Sequence, residues 1–326
     1  FFGGTATDWV NLSKAHIPQA DEQQRLLANL VTVTARDRLP VPRFWYFPGT
    51  HKAVVVATGD DHGSGGTPGR FSTYAAASPS GCSVARWECP RFSSYIYPST
   101  PMTNAQALTF HDQGFEVGLH PQNNCTNYVS YQGLADTYTS QLGTWRAKYT
   151  SLPSPTTSRY HCIVWSDWAS QPKAELASGI RLDTNYYYYP GSWIADRPGF
   201  MNGSGMPMRF TDTDGSMIDV FQANTNMTDE SGQSYPFTPN TLLDRALGSQ
   251  GYYGAFTANL HTDNASTYED TQVLASAQAR GVPVIAARQL LTWTDGRNAS
   301  SFSGISWSGG TLSFTVGVGV GATGLT

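Results

Sequence analysis

Thr58-Gly59-Asp60-Asp61-His62 sets two carboxylates side by side. Adjacent carboxylates at the end of a buried segment repel, and burial disfavours their charged forms, unless a cation or a proton separates them. One aspartate on a metal ion and the other as general base relieves that conflict; a solvated loop capping a helix is the plainer alternative. In Gly118-Leu119-His120-Pro121-Gln122-Asn123-Asn124 an imidazole is followed four residues later by an amide, and the two can close on one ion. Two further imidazoles occur in Arg159-Tyr160-His161 and Leu260-His261-Thr262-Asp263, and Asp263 or Asp183 is placed to hold His261 in one tautomer. Taken singly, each of these histidines also fits a role as a satisfied core or surface residue.

The elements around these residues follow one pattern. Residues 52–57 are apolar on both faces, which predicts a fully buried parallel strand. Strand-like stretches then recur at 95–97, 115–120, 160–165, 180–183, 253–261 and 282–286. Helical patterns fall between them at about 103–113, 133–150, 171–178, 239–250 and 268–280, with more strands near 208 and 218. Gly114, Gly179, Gly251 and Gly281 each stand after a helix and before a strand, the helix C-cap position. Alternation of this kind predicts an α/β fold with a parallel sheet, a distorted (β/α) barrel of about seven strands. Reactive side chains of such a barrel sit at strand C-terminal ends, and Asp60, Asp61, His120, Asp183 and His261 all fall there. Residues 20–37 read as a helix with Leu26, Leu27, Leu30 and Val31 on one face. Beyond 297 a period-two pattern around Ser308-Gly309-Gly310 predicts a β-hairpin or the start of a β-sandwich. The expected division is a helical lead-in over 1–50, the barrel over 51–297 and the hairpin over 298–326.

Composition narrows the partners. Of 326 residues, 13% are charged and 40% apolar, against a usual charged share of about 25%. A polar, weakly charged surface suits sugars better than polyanions. With a net charge of -4 and no Lys/Arg cluster, nucleic acid is excluded as a partner. No apolar run approaches the ~20 residues of a membrane span. Phe1-Phe2-Gly3-Gly4 is not a signal peptide and reads as a mature or trimmed start. The four cysteines allow three pairings. Cys82–Cys89, closing a short loop, and Cys125–Cys162, tying two strand ends, are preferred over free thiols, which points to an oxidising, extracellular location. No C-x-x-C is present to hold a metal.

In this order and context, the motifs resemble those of the polysaccharide-deacetylase family (NodB-homology, carbohydrate esterase family 4-like). The resemblance covers about residues 52–292. Its first motif, T-F-D-D-G/H, matches Thr58-Gly59-Asp60-Asp61-His62; its second, G-H-E-[IV]-G-x-H, matches Gly114-Phe115-Glu116-Val117-Gly118-Leu119-His120. Arg159, Leu182-Asp183-Thr184-Asn185-Tyr186 and Leu260-His261 match the later ones. The resemblance implies Asp61 and His120 as ligands of a divalent metal, usually Zn2+, with Asp60 as base, Arg159 keeping Asp60 ionised, and His261 as acid. Asn124 stands where the family has its second metal histidine, and an amide oxygen is a weaker ligand than imidazole; His161 or His62 can supply the missing nitrogen. His161, Asp183, Tyr186 and Trp165 are expected to contact substrate, together with Trp168, Tyr187, Tyr188, Tyr189 and Trp193, flat rings suited to sugar faces. The implied activity is deacetylation of an N-acetylated extracellular polysaccharide or oligosaccharide by a monomer. A non-sugar amidohydrolase and a carbohydrate-binding barrel without metal are the alternatives.

Overall fold

The computed structural model describes residues 14, 16–162, 164, 167–185, 194, 197–199, 202–249 and 251–326. Helix α1 (Gln19–Ala35) leads into β1 (Ala53–Asp61), whose nine residues are all buried. Then follow α2 (Thr67–Ala76), β2 (Ser93–Ile96), α3 (Asn104–Asp112), β3 (Glu116–Leu119), α4 (Tyr131–Lys148), β4 (Thr157–Ser158) and α5 (Ser170–Ala177). The second half runs β5 (Leu182–Asp183), β6 (Met208–Thr211), β7 (Met217–Gln222), β8 (Thr225–Thr228), α6 (Phe237–Leu247), β9 (Gly254–Asn259), α7 (Tyr268–Gln278), β10 (Val284–Ile285) and α8 (Ala287–Asn298). The hairpin β11 (Ser301–Ser308) and β12 (Thr311–Gly317) completes the elements.

The fold is α/β, with two sheets built mainly of parallel strands. In the larger, β1 lies between β9 and an edge shared by two strands: β10 pairs with Val55 and Val56, and β2 with Thr58 to Asp61. Strand β3 flanks β2, and β8 flanks β9. The smaller sheet runs β4-β5-β7, parallel, with β6 antiparallel on its edge. Side chains join the sheets at both seams. Thr157 Oγ1 donates to Glu116 Oε1 at 2.8 Å between β4 and β3. Thr225 Oγ1 donates to the Thr184 carbonyl at 3.0 Å between β8 and the end of β5. The strands thus follow a barrel course whose backbone ladder is open at two places among the described residues.

Local chemistry accounts for the elements. Branched valines 54–56, wholly buried, favour the pleated β1 and fix it in the core. Thr103 and Gln106 form a reciprocal capping box on α3, and Thr267 accepts from the Asp270 amide at the start of α7. Gly114 and Gly179 adopt positive φ of 94° and 85° after their helices, the C-cap role their spacing predicts. The apolar face of α1 lies open instead of packed: Leu26, Leu27, Leu30 and Val31 are all more than half exposed. Helices α2 and α8 and strand β8 have no counterpart among the expected elements; β8 is four residues long, too short to show alternation.

At Gly59 the backbone leaves no room for a side chain. At Gly59 an added Cβ would lie 2.0 Å from the Leu260 carbonyl oxygen, because β1 and β9 approach closely there. A Gly59→Ala variant is expected to lose about 1–3 kcal/mol of stability from overpacking, read by chemical denaturation. Unchanged stability would mean the strands part freely.

Candidate metal centre

Four imidazoles and a ring of carboxylates meet at the C-terminal ends of β1, β3, β4 and β9. Asp60 is the penultimate residue of β1, His120 follows β3, His161 lies three residues past β4, and His261 lies two past β9. One ligand atom from each of Asp60, His62, His120 and His161 lies within 4.8 Å of the others. Asp60 Oδ2 is 3.1 Å from His120 Nε2 and 3.5 Å from His62 Nε2, and His62 Nε2 is 3.1 Å from His161 Nδ1.

Two of the rings are aimed by a partner on the far nitrogen. His120 Nδ1 faces the Arg159 carbonyl at 2.8 Å, leaving Nε2 directed at the group. His62 Nδ1 faces Asp263 Oδ2 at 2.8 Å. Such outer partners fix tautomer and orientation in metal-binding histidines. His120 Nε2, although 3.1 Å from Asp60 Oδ2, and Asp60 Oδ1 are buried and lack a well-aligned hydrogen bond. Buried polar atoms without partners are rare; here they converge on one point with N/O donors, the set a divalent ion such as zinc takes. The residues present therefore fit an ion.

Electrostatics agree with that use. Burial by itself raises the Asp60 carboxyl, but the charges of His120, His261 and Arg159 outweigh it and hold the group well below the ordinary carboxylate range, so it is ionised. Burial, with His120 and His62 beside it, pushes His161 down to about 4, which keeps it neutral and able to ligate at neutral pH.

His261 stands across the cleft. Burial disfavours its charge, but hydrogen bonds to Asp229 and Glu230 and the charge on Asp60 raise it to about 11. Its Nδ1 faces Asp229 Oδ1 at 2.7 Å, and its Nε2 lies 3.1 Å from Glu230 and 3.7 Å from Asp60 Oδ1. The cleft, about 440 Å3, is lined by Asp60, His62, His161, His261, Asn185 and Asn259, among others.

Several expectations change at this point. Asp61 does not join the group: its carboxylate is buried and accepts from the amides of Gly63, Ser64 and Gly65 and from Thr67 Oγ1 at 2.8–3.1 Å. With its oxygens turned into the loop, it closes the turn that carries His62. Asn124 is exposed at a positive φ of 55° and lies outside both the group and the cleft. Asp183 is wholly buried, accepts from the Asn185 amide at 2.6 Å and is not part of the cleft lining. Burial raises its carboxyl to about 7. Arg159 donates to Thr58 and Thr225 and forms no ion pair with Asp60 among the described residues; it acts on Asp60 through its field. His261 is oriented by Asp229, while Asp263 orients His62. The signal for Asp229 was an acidic pair, Asp229-Glu230, directly after a strand too short to recognise.

The structure pairs Cys82 with Cys89 and Cys125 with Cys162. The second bridge adjoins His161 and ties its loop to the segment after β3. Trp168 is largely exposed and donates to the Thr211 carbonyl. Trp165, Tyr186 to Tyr189 and Trp193 lie outside the described residues. No helix among the described residues is long and apolar enough to cross a membrane.

No protein-family profile matches the chain, and no curated protein matches it. Among solved structures it is similar to a putative polysaccharide deacetylase from Mycobacterium smegmatis, at 12% identity and a TM-score of 0.44, covering 78% of this chain and 93% of that one. It is also similar to a CE4 family pseudoenzyme, at 14% identity and a TM-score of 0.43, covering 78% and 72%. A family 4 carbohydrate esterase from Streptomyces lividans, in complex with acetate, is similar at 10% identity and a TM-score of 0.39, over 71% of this chain and 90% of that one.

Proposed function

We propose that the chain is a secreted, metal-dependent deacetylase that hydrolyses N-acetyl groups of an extracellular polysaccharide, leaving acetate and a free amino sugar. The observation that carries the reading is the convergence of Asp60, His62, His120 and His161 on one point in an open cleft, facing a His–Asp pair. Asp60, His62, His120 and His161 would hold the ion, with zinc the best match to the donor set. A divalent ion bound there lowers the pKa of water and polarises an acyl carbonyl.

The chain's own groups do the rest. Asp60 Oδ1, ionised and without a hydrogen bond, accepts the proton of the attacking water. His261, held protonated by Asp229 and Glu230, gives a proton to the departing amine, without which C–N cleavage stalls. Asp229 keeps the His261 ring in place through Nδ1. Arg159 stabilises the charge on Asp60 from below the cleft floor. Two disulfides and a charge-poor chain support an extracellular setting.

The test is acetate release from N-acetylglucosamine and N-acetylgalactosamine oligomers by chelated protein reconstituted with zinc. Release that depends on zinc and exceeds that from simple acetamides supports the proposal. Release from simple amides alone makes the protein a non-sugar amidohydrolase. No release in the presence of bound zinc makes it a non-catalytic barrel.

A further inference from the structure

A second cleft, about 560 Å3, opens away from the metal centre. Its walls include Trp45 and Tyr46, which precede β1, and Tyr253, which precedes β9. It therefore lies at the N-terminal ends of those strands, whereas Asp60 and His261 lie at or just beyond their C-terminal ends. Phe302 of β11 stacks on Phe44 with ring centroids 4.1 Å apart, and Tyr46 tilts against Tyr253 at 4.6 Å. Three arginines, Arg25, Arg43 and Arg297, complete the lining, and no carboxylate is part of it.

The charge balance is unusual for this chain, which has 20 Lys and Arg against 24 Asp and Glu. Arg25 is paired with Glu22. Arg43 and Arg297 have no acidic partner among the described residues. Arg43 Nη1 donates to Asn29 Oδ1 at 3.0 Å, and Arg297 donates to the Trp45 and Phe44 carbonyls while lying 4.9 Å over the Tyr46 ring. Two guanidinium charges are therefore left uncompensated beside partly exposed rings. Tyr253 shares the lining of this cleft with all three arginines. Flat rings stack on sugar faces, and arginine forks bind carboxylate or sulfate in two-pronged fashion.

We propose that this cleft is a binding site for an acidic polysaccharide, with Tyr46 as stacking platform and Arg43 as the anion-binding side chain. The site anchors the chain to a charged polymer independently of the metal centre at the other end of the strands. Neither Arg43 nor Tyr46 takes part in the proposed hydrolysis, and both are exposed, so their replacement spares the fold.

Affinity electrophoresis in gels carrying polygalacturonate, dextran sulfate, neutral dextran or single-stranded DNA tests this. The wild-type chain is expected to be retarded by polygalacturonate, dextran sulfate or both, which separates carboxylate from sulfate recognition, with retention falling as salt rises. R43E and Y46A are each expected to weaken retention at least tenfold with unchanged melting, and D60N is expected to bind like wild type. No retardation by either acidic polymer, equal retardation by neutral dextran or by DNA, or retention indifferent to both R43E and Y46A would overturn the assignment. Because D60N separates binding from hydrolysis, failure here and failure of the deacetylase reading are distinct results.

Discussion

An Asp60→Asn variant is expected to lose at least about a thousandfold in acetate release and at least about tenfold in affinity for a divalent ion. The exchange keeps the shape of the side chain but removes the charge that His120, His261 and Arg159 hold in place. It also removes the anionic oxygen nearest His120 Nε2. Asp61→Asn should behave in the opposite way. That carboxylate closes a loop by accepting from four backbone amides. Hydrogen bonds to a charged group are each worth about 1.5–3 kcal/mol, so D61N is expected to unfold more readily by about 2–4 kcal/mol while still binding an ion when folded. Calorimetric titration with zinc, paired with urea denaturation, separates the two. If D61N loses the ion and D60N keeps it, the ligand and base roles implied by the motif resemblance hold and Asp60 is not the ligand.

A His261→Gln variant is expected to lose about a hundred- to ten-thousandfold in turnover, while retaining its metal. The ring is not one of the four converging groups; its Nε2 lies 3.7 Å from Asp60 Oδ1. Its pH behaviour follows from its partners. Asp229, Glu230 and Asp60 raise His261 to about 11 in the ion-free protein. The protonated form is thus favoured on folding, a contribution complete below the ordinary histidine value of 6.5 and lost as pH climbs toward about 11. A cation bound nearby pulls the value down from there. The donor limb of the pH–rate profile should accordingly fall on the alkaline side, and Asp229→Asn should move it to lower pH. A profile unchanged in D229N, or a His261→Gln variant within threefold of wild type, would remove His261 from the mechanism.

The strand ends that carry Asp60, His120 and His261 were legible because long buried runs and helix-capping glycines mark a parallel α/β chain. The direction of each side chain was not. Asp60 and Asp61 differ by one residue, so on a strand they point to opposite sides, and sequence alone does not say which side holds the ion. His62 and His161 came into the group because loops fold back over the strand ends, Asp263 turning one ring and a disulfide neighbour carrying the other. Asn124 was expected from its spacing and from the motif resemblance, and the turn around Cys125 carries it out to solvent instead. Asp229 escaped because β8 is only four residues long. The open face of α1 was likewise invisible: a periodic pattern says which residues share a face, not whether anything covers it.

The most direct measurement is anomalous diffraction at the zinc edge from crystals grown with zinc. A single ion is expected in the cleft, within about 2.0–2.2 Å of Asp60 Oδ2, His120 Nε2, His62 Nε2 and His161 Nδ1, with Asp61 still bonded to its loop. An ion held by Asp61 with Asp60 turned away, or no peak at this site at full zinc occupancy elsewhere, would contradict it.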